Sequence, residues 1–330
     1  MFFYRIFSNN FVRYIRNLIN IKPTIAYKPN NSNNSISDFF FWEETDKLHT
    51  KFFLTNLASQ VLPDIKQIDY IKIYIYDYNG KLLRKLEHSL DYSETYILNF
   101  SSLNLKGYGS FFVFHKFKNN YELIKKKSHL ADRGYIGYSD DAVFWKYVHG
   151  NNYAAYLDEN KNKIKSIMTS TAKKNKYTPQ VSFHDCNSFF LILNNPNDSS
   201  VSIELIGYSD NVRKNNKFTI KNKGTLKISF DNIKFKYVEI KSHFVMLRPI
   251  VFKNYLDDFD VFHGWYYMNI IGVYDGHNAS VAYFKKNTIE FAINEERLVK
   301  KKNQSGFPIK SLKYLLSKYT LNNSNIDFIA

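Results

Sequence analysis

Residues able to do chemistry concentrate in one stretch, Met268 to Ala330. Within it, Asp275-Gly276-His277-Asn278-Ala279-Ser280 separates two β-patterned runs. A turn of small residues leaves backbone N–H groups free to approach phosphate oxygens, which puts Gly276, Asn278 and Ser280 forward as phosphate-binding positions. A carboxylate at the end of a strand can hold a metal directly or through water, and Asp275 occupies that place. A histidine beside a phosphate can accept a proton or steady developing charge, the part open to His277. Further on, Asn294-Glu295-Glu296-Arg297 offers two carboxylates and a guanidinium. Two readings of it stand. Glu295 and Glu296 can bind a metal or a substrate ammonium while Arg297 clamps a phosphate. Equally, a Glu–Arg pair can fix the loop after the third strand. Lys300 to Lys302 reads as a solvated basic turn.

The elements that must position these groups follow from the hydrophobic pattern. Ile270, Ile271 and Val273 form a near-continuous apolar run, as in a strand buried on both faces. Val281 to Phe284 makes a second strand, Lys285-Lys286-Asn287 a turn, and Ile289, Phe291 and Ile293 alternate as a third. Gly306-Phe307-Pro308 then opens a helix, since proline costs little in a first turn. Ile309, Leu312, Leu315, Leu316 and Tyr319 share one face of it. Ile326, Phe328 and Ile329 begin a fourth strand. The order is β-β-β-α-β with the chain ending inside the last strand. An unpaired core strand makes a poor natural terminus, so a truncated or split coding sequence is expected.

This ordered set resembles the N-terminal part of the nodulation-protein-type carbamoyltransferases, the family that includes antibiotic O-carbamoyltransferases. The resemblance rests on Gly272-Val273 ahead of His277-Asn278-Ala279-Ser280, then Asn294-Glu295-Glu296-Arg297, Lys301-Lys302 and Gly306-Phe307-Pro308. It covers residues 268–330 only. It implies the opening of an actin/Hsp70/sugar-kinase-like domain. It also implies transfer of a carbamoyl group from carbamoyl phosphate to a hydroxyl acceptor, a sugar or glycan among the candidates. ATP would be used by way of a carbamoyl-adenylate, with a divalent metal, iron or magnesium, near the nucleotide. His277 matches the family histidine and becomes the catalytic candidate. The family's histidine-rich metal motif, its second ATP subdomain and its adenylate-forming domain lie beyond the matched part, so residues 268–330 are expected to be inactive alone.

The rest of the chain is mainly β. Its 330 residues imply more than one core. The high aromatic content, with 29 Phe and 26 Tyr, favours strands. The expected organisation is an amphipathic segment and linker over 1–38, a β-sandwich-like region over 39–128, a second over 129–264, and the carbamoyltransferase-like part over 268–330. Ile71 to Tyr76 alternates as a strand, and Asn79-Gly80 predicts a type I′ hairpin into Leu82 to Leu86. Tyr96–Phe100, Ser110–Phe114, Phe189–Leu193, Val201–Leu205, Leu226–Phe230, Ile233–Tyr237 and Phe244–Leu247 read as further strands. Lys161 to Lys176 reads as a long exposed loop.

His149-Gly150-Asn151 and His184-Asp185-Cys186 gather potential ligands, but adjacent residues on a strand point to opposite faces, which favours structural histidines. Trp145, Tyr147 and Tyr153 can line a sugar-binding face or fill a core. The net charge of +16 is scattered, without a basic stripe or nucleic-acid motif, so specific nucleic-acid binding is not expected. The single cysteine, Cys186, excludes an intrachain disulfide and suits a reducing, cytoplasmic setting. No apolar run reaches the length of a transmembrane helix. Phe3, Phe7, Phe11, Tyr14, Ile15 and Leu18 fall at helical spacing among Arg5, Arg13 and Arg16. Residues 1–20 can therefore pack on the protein or make peripheral membrane contact. The alternative to an enzyme is a non-enzymatic glycan-binding or scaffolding β-protein with a vestigial carbamoyltransferase segment.

Overall fold

The structure, a computed structural model, describes residues 36–329 apart from short internal segments, the longer of which are 60–63, 118–130, 178–185, 264–269 and 322–327. The N-terminal amphipathic segment, His184 and Asp185, and Ile233 lie outside the described residues. The chain divides into two compact units, Met1–Gly264 and Trp265–Ala330. It is mainly β, and the second unit also carries α-helices. Among the described residues no helix is long and apolar enough to cross a membrane.

The first unit opens with β1 (Ile36–Asp38), β2 (Phe40–Glu44), β3 (His49–Thr55), β4 (Asp69–Asp77), β5 (Leu82–Leu90), β6 (Thr95–Asn99), β7 (Gly107–Phe117), β8 (Ala131–Asp132), β9 (Tyr135–Ser139), β10 (Lys146–His149), β11 (Tyr153–Asp158) and β12 (Lys163–Ser166). They pair as three sheets, β2-β7-β4-β5, β10-β9-β3-β6 and β12-β11-β1-β8. Phe40, Phe52 and Phe111 are fully buried between the first two of these sheets, with ring centroids 4.7 to 5.2 Å apart. Alternation drives this: β3 buries Phe52 and Leu54 and turns Lys51 and Phe53 outward.

Eight strands follow: β13 (Ser170–Tyr177), β14 (Ser188–Asn194), β15 (Val201–Tyr208), β16 (Arg213–Ile220), β17 (Thr225–Asp231), β18 (Tyr237–Phe244), β19 (Ile250–Asn254) and β20 (Phe259–His263). They form the sheets β13-β18-β15-β16 and β17-β14-β19-β20. The apolar run of β14 is explained by burial on both faces. Phe189 stacks on Phe230, which meets Phe235, and Phe235 lies on Gly207 of β15. Ile192, with Phe252 of β19, belongs instead to the core of the preceding strands, where Phe252 meets Tyr138 at 5.0 Å and Phe41 at 6.0 Å.

Strand pairing corrects the boundary expected near residue 128. β9 pairs with β3, and β11 with β1, so residues up to 166 complete the first set of sheets and the second begins at β13. The polar stretch 161–176 is likewise not a loop: it supplies β12 and part of β13, because an edge strand can be strongly polar on its solvent side. Phe235 lies outside β18, buried beneath Gly207.

The two sets of sheets are also tied by polar contacts. Lys227 of β17 donates to both oxygens of the buried Glu43 of β2, at 2.8 and 2.6 Å. The Thr225 N–H donates to the Tyr78 carbonyl, and Lys221 Nζ to Asn79 Oδ1. This docking involves the Asn79-Gly80 turn, whose type differs from expectation. The Gly80 N–H donates to the Asp77 carbonyl and the Asp77 N–H to that of Lys81, while Gly80 has φ +83 and Asn79 has no positive φ. It is a three-residue turn with a glycine bulge, the next commonest hairpin connection. A Cβ on Gly80 would stand 1.9 Å from the Asn222 carbonyl oxygen. Gly80→Ala is therefore expected to cost about 2 kcal/mol or more, read from the urea midpoint, through backbone strain plus a clash with main chain. Gly107→Ala, at φ +105 with open space around its Cβ, isolates the strain and should cost about 1 kcal/mol.

Candidate functional site

The second unit contains β21 (Ile270–Tyr274), β22 (Ser280–Lys285), β23 (Thr288–Asn294), α1 (Glu295–Val299), α2 (Ile309–Lys318) and β24 (Phe328–Ile329). The sheet order is β23-β22-β21-β24, with β24 parallel to β21 and the other pairs antiparallel. Parallel pairing requires a crossover, and α2 belongs to that connection. Leu315 is fully buried with Ile271, Val281 and Tyr283, and Leu312, Leu316 and Tyr319 pack around them. Ile309, expected on this face, is instead 54% exposed, since Pro308 precedes the helix and Ile309 is its first residue. Val281 and Tyr283 are buried while Tyr274 and Phe284 are exposed, so one face of the sheet is covered rather than both.

The Asp275–Ala279 turn is held by its own backbone. The Gly306 N–H donates to the Asp275 carbonyl at 2.9 Å, and the Ala279 N–H to the Gln304 carbonyl at 2.9 Å. The Ala279 carbonyl accepts the Glu295 N–H at 2.7 Å. Two segments distant in sequence, one at Glu295 and one at 304–306, thus clasp one turn. Asn278 takes the left-handed conformation, φ +64, which asparagine tolerates better than most residues. Among the described residues the N–H groups of Gly276, His277 and Asn278 donate to no protein acceptor. Successive unpaired N–H groups beside a left-handed residue form a concavity suited to an anion. Asp275, His277 and Asn278 are exposed at this turn, Gly276 and Ser280 are half-buried, and Ala279 is buried beneath it.

The Asn294–Arg297 motif resolves into unequal parts. Glu295 is buried, and its two oxygens accept the N–H groups of Lys310 at 3.0 Å and Ser311 at 2.7 Å, the opening of α2. It satisfies donors that have no partner inside the helix, and its charge suits the positive end of the helix dipole. Burial by itself raises the Glu295 pKa. The Ser311 and Lys310 donors, with the Lys310 charge, outweigh burial and hold the carboxyl below its ordinary value. Glu296 accepts the Asn303 N–H at 3.1 Å and stands 3.9 Å from the Arg297 guanidinium, which is 77% exposed. Glu295 and Glu296 thus brace the loop leading to α2, a role the sequence reading left open beside ligand binding, and Arg297 reaches into solvent.

Residues 269–330 match the family described as carbamoyltransferase N-terminus. The match covers about a fifth of the chain and makes this unit similar to the N-terminal part of carbamoyltransferases. A separate similarity covers 49 residues at 55% identity with an uncharacterized protein, MJ1051, of Methanocaldococcus jannaschii. That alignment takes in 15% of this chain and 10% of the relative, so the chain spans about a tenth of the relative it matches.

No group of three or more histidine, cysteine, aspartate or glutamate side chains converges on a metal position among the described residues. Asp275 is one donor, and Glu295 is committed to α2. His149, also singled out from sequence, meets His263 at 2.9 Å, with Arg248 on the far ring nitrogen of His263, where β10 approaches β20. This junction was invisible in sequence because its members lie more than a hundred residues apart.

Glu295→Gln replaces one acceptor by an amide group that faces backbone N–H groups. The expected loss is about 1–3 kcal/mol, seen as faster amide exchange at Lys310 and Ser311. Because the folded pKa lies below the unfolded one, Glu295 contributes stability above its ordinary value of about 4.3 and loses it as pH falls through the folded value. Protection of those amides should therefore decline as pH falls below about 4.3 in the native chain and stay flat in Glu295→Gln.

Proposed function

We propose that residues 265–330 form the first layer of the donor site of an ATP-dependent carbamoyltransferase acting on a hydroxyl acceptor, a saccharide being the favoured class. The observation that carries this reading is the clasped Asp275–Ala279 turn, with unpaired N–H groups at Gly276, His277 and Asn278, inside the stretch that matches the carbamoyltransferase family. The sheet order β23-β22-β21-β24, with a parallel fourth strand, supports the actin/Hsp70-like opening that the resemblance implies. In this reading the turn amides and Ser280 hold phosphate oxygens of carbamoyl phosphate or ATP, and exposed Arg297 adds positive charge as the ligand arrives. In the adenylate route, carbamate freed from carbamoyl phosphate as inorganic phosphate leaves attacks the ATP α-phosphorus and expels pyrophosphate. The acceptor oxygen then attacks the carbamoyl carbon, the bond to the AMP phosphate oxygen breaks, and the hydroxyl proton passes to the His277 imidazole. A metal, iron or magnesium, would take its ligands from elsewhere with at most Asp275 from this unit, and no step here is assigned to it.

The test is an assay of the complete gene product with carbamoyl phosphate, ATP and a panel of saccharides. A carbamoylated product with pyrophosphate release is expected, and its absence with every acceptor sinks the reading. His277→Ala should lower kcat by about 10²- to 10⁴-fold, the usual weight of a general base. Full turnover by that variant removes His277 from the chemistry.

A further inference from the structure

The outward face of sheet β10-β9-β3-β6 carries a cluster of aromatic side chains around one lysine. Lys51 Nζ lies 4.0 Å from the Trp145 ring centroid, 5.4 Å from that of Tyr147 and 5.7 Å from that of Phe53. Phe53 meets Tyr147 edge-on at 5.6 Å. Tyr135, in register with Phe53 on the neighbouring strand, is 63% exposed, and Tyr147 is 47% exposed. Gly137 sits beneath: a Cβ there would stand 2.8 Å from Tyr147 Cε1 and 3.2 Å from both Trp145 Cε3 and Lys51 Cγ. The glycine lets these side chains lie down on the sheet. The Trp145 indole is further fixed by donating to the Ala142 carbonyl at 3.2 Å. Rings held this way lose little freedom on meeting a ligand.

The charge of the face selects among occupants. The outward positions of its four strands are 49, 51, 53 and 55, then 95, 97 and 99, then 135, 137 and 139, then 147 and 149; none is acidic. Lys51 is the only formal charge among them other than what the histidines can gain, and two carboxylates, Glu44 against His49 and Asp141 against Ser139, bound one end of the face. Exposed Thr95 and Asn99 supply hydrogen-bonding groups at the β6 side. A single ammonium amid aromatic rings, with polar groups at one edge, matches a sugar ring that presents C–H groups to the rings, hydroxyls to the edge and a carboxylate to the cation. One lysine is too little charge for an anionic lipid surface, where binding sums over many basic residues.

We propose that this face binds a saccharide chain bearing carboxylates, with Tyr147 and Phe53 as the stacking surface and Lys51 as the carboxylate contact. The site lies wholly in the unit ending at Gly264 and stands or falls independently of carbamoyl transfer.

The test is calorimetric titration of the full chain with hexagalacturonate and, as the neutral counterpart, maltohexaose. Hexagalacturonate should bind more tightly, and the difference should shrink with salt. Tyr147→Ala should weaken both by about tenfold while Tyr147→Phe keeps the wild-type affinity, in proteins of unchanged thermal midpoint. Lys51→Gln should abolish the preference for the acidic chain. Failure to bind either saccharide overturns the proposal, as does binding indifferent to Tyr147→Ala. Equal affinity for the two chains overturns the role of Lys51. Binding only to phosphatidylserine–phosphatidylcholine vesicles, lost in Tyr147→Ala, would replace the saccharide by a membrane.

Discussion

The carboxylate of Glu295 holds the C-terminal unit in its working form. It is buried at the end of β23 and accepts the opening N–H groups of α2, which fixes where that helix begins. With both ends of the 300–308 loop set, Gln304 and Gly306 come to lie against the Asp275–Ala279 turn and pair with it. The same residue's own N–H closes the third side of the clasp at Ala279. One acidic side chain and its amide thus organise a turn twenty residues earlier in the chain. A buried carboxylate is tolerable here because each oxygen has a donor; left without them it would strongly favour its neutral form.

The first unit depends on a different constraint, the need of β14 to bury both faces. One face is covered by Phe235 and by β15, against whose Gly207 that ring lies, the other by aromatic side chains of the preceding strands, which Phe252 meets. That shared core makes the strands from 36 to 263 one body. The Lys227–Glu43 pair adds orientation more than stability, since burying ions offsets most of their attraction. The same unit carries a solvent-facing sheet whose aromatic cluster rests on Gly137.

Much of the fold was legible because alternation reports burial on one face and continuous apolar runs report burial on two. Ile71 to Tyr76, Phe189 to Leu193 and the three strands and helix after Met268 are all where the pattern puts them. The misread places share a cause. Polar edge strands such as β12 and β13 lack an apolar signature, and the type of the Asn79-Gly80 turn was settled by the segment docked on it rather than by the dipeptide. Of the candidate site, the turn that carries His277 could be placed from residue order, whereas the division of labour between Glu295, Glu296 and Arg297 could not.

The sequence by itself determined the mainly β character, the four strands and longer helix of the last sixty-odd residues, though not the short helix α1, and the turn residues of Asp275 to Ser280. Those features rest on local terms: side-chain periodicity, backbone preference and residue order. Only the tertiary structure decided that Glu295 serves α2, that the turn amides are left unpaired, and that Lys51, Phe53, Trp145 and Tyr147 meet on Gly137. Those outcomes depend on contacts between strands and loops far apart along the chain, where hydrogen-bond partners and ring neighbours are chosen by packing and not by spacing.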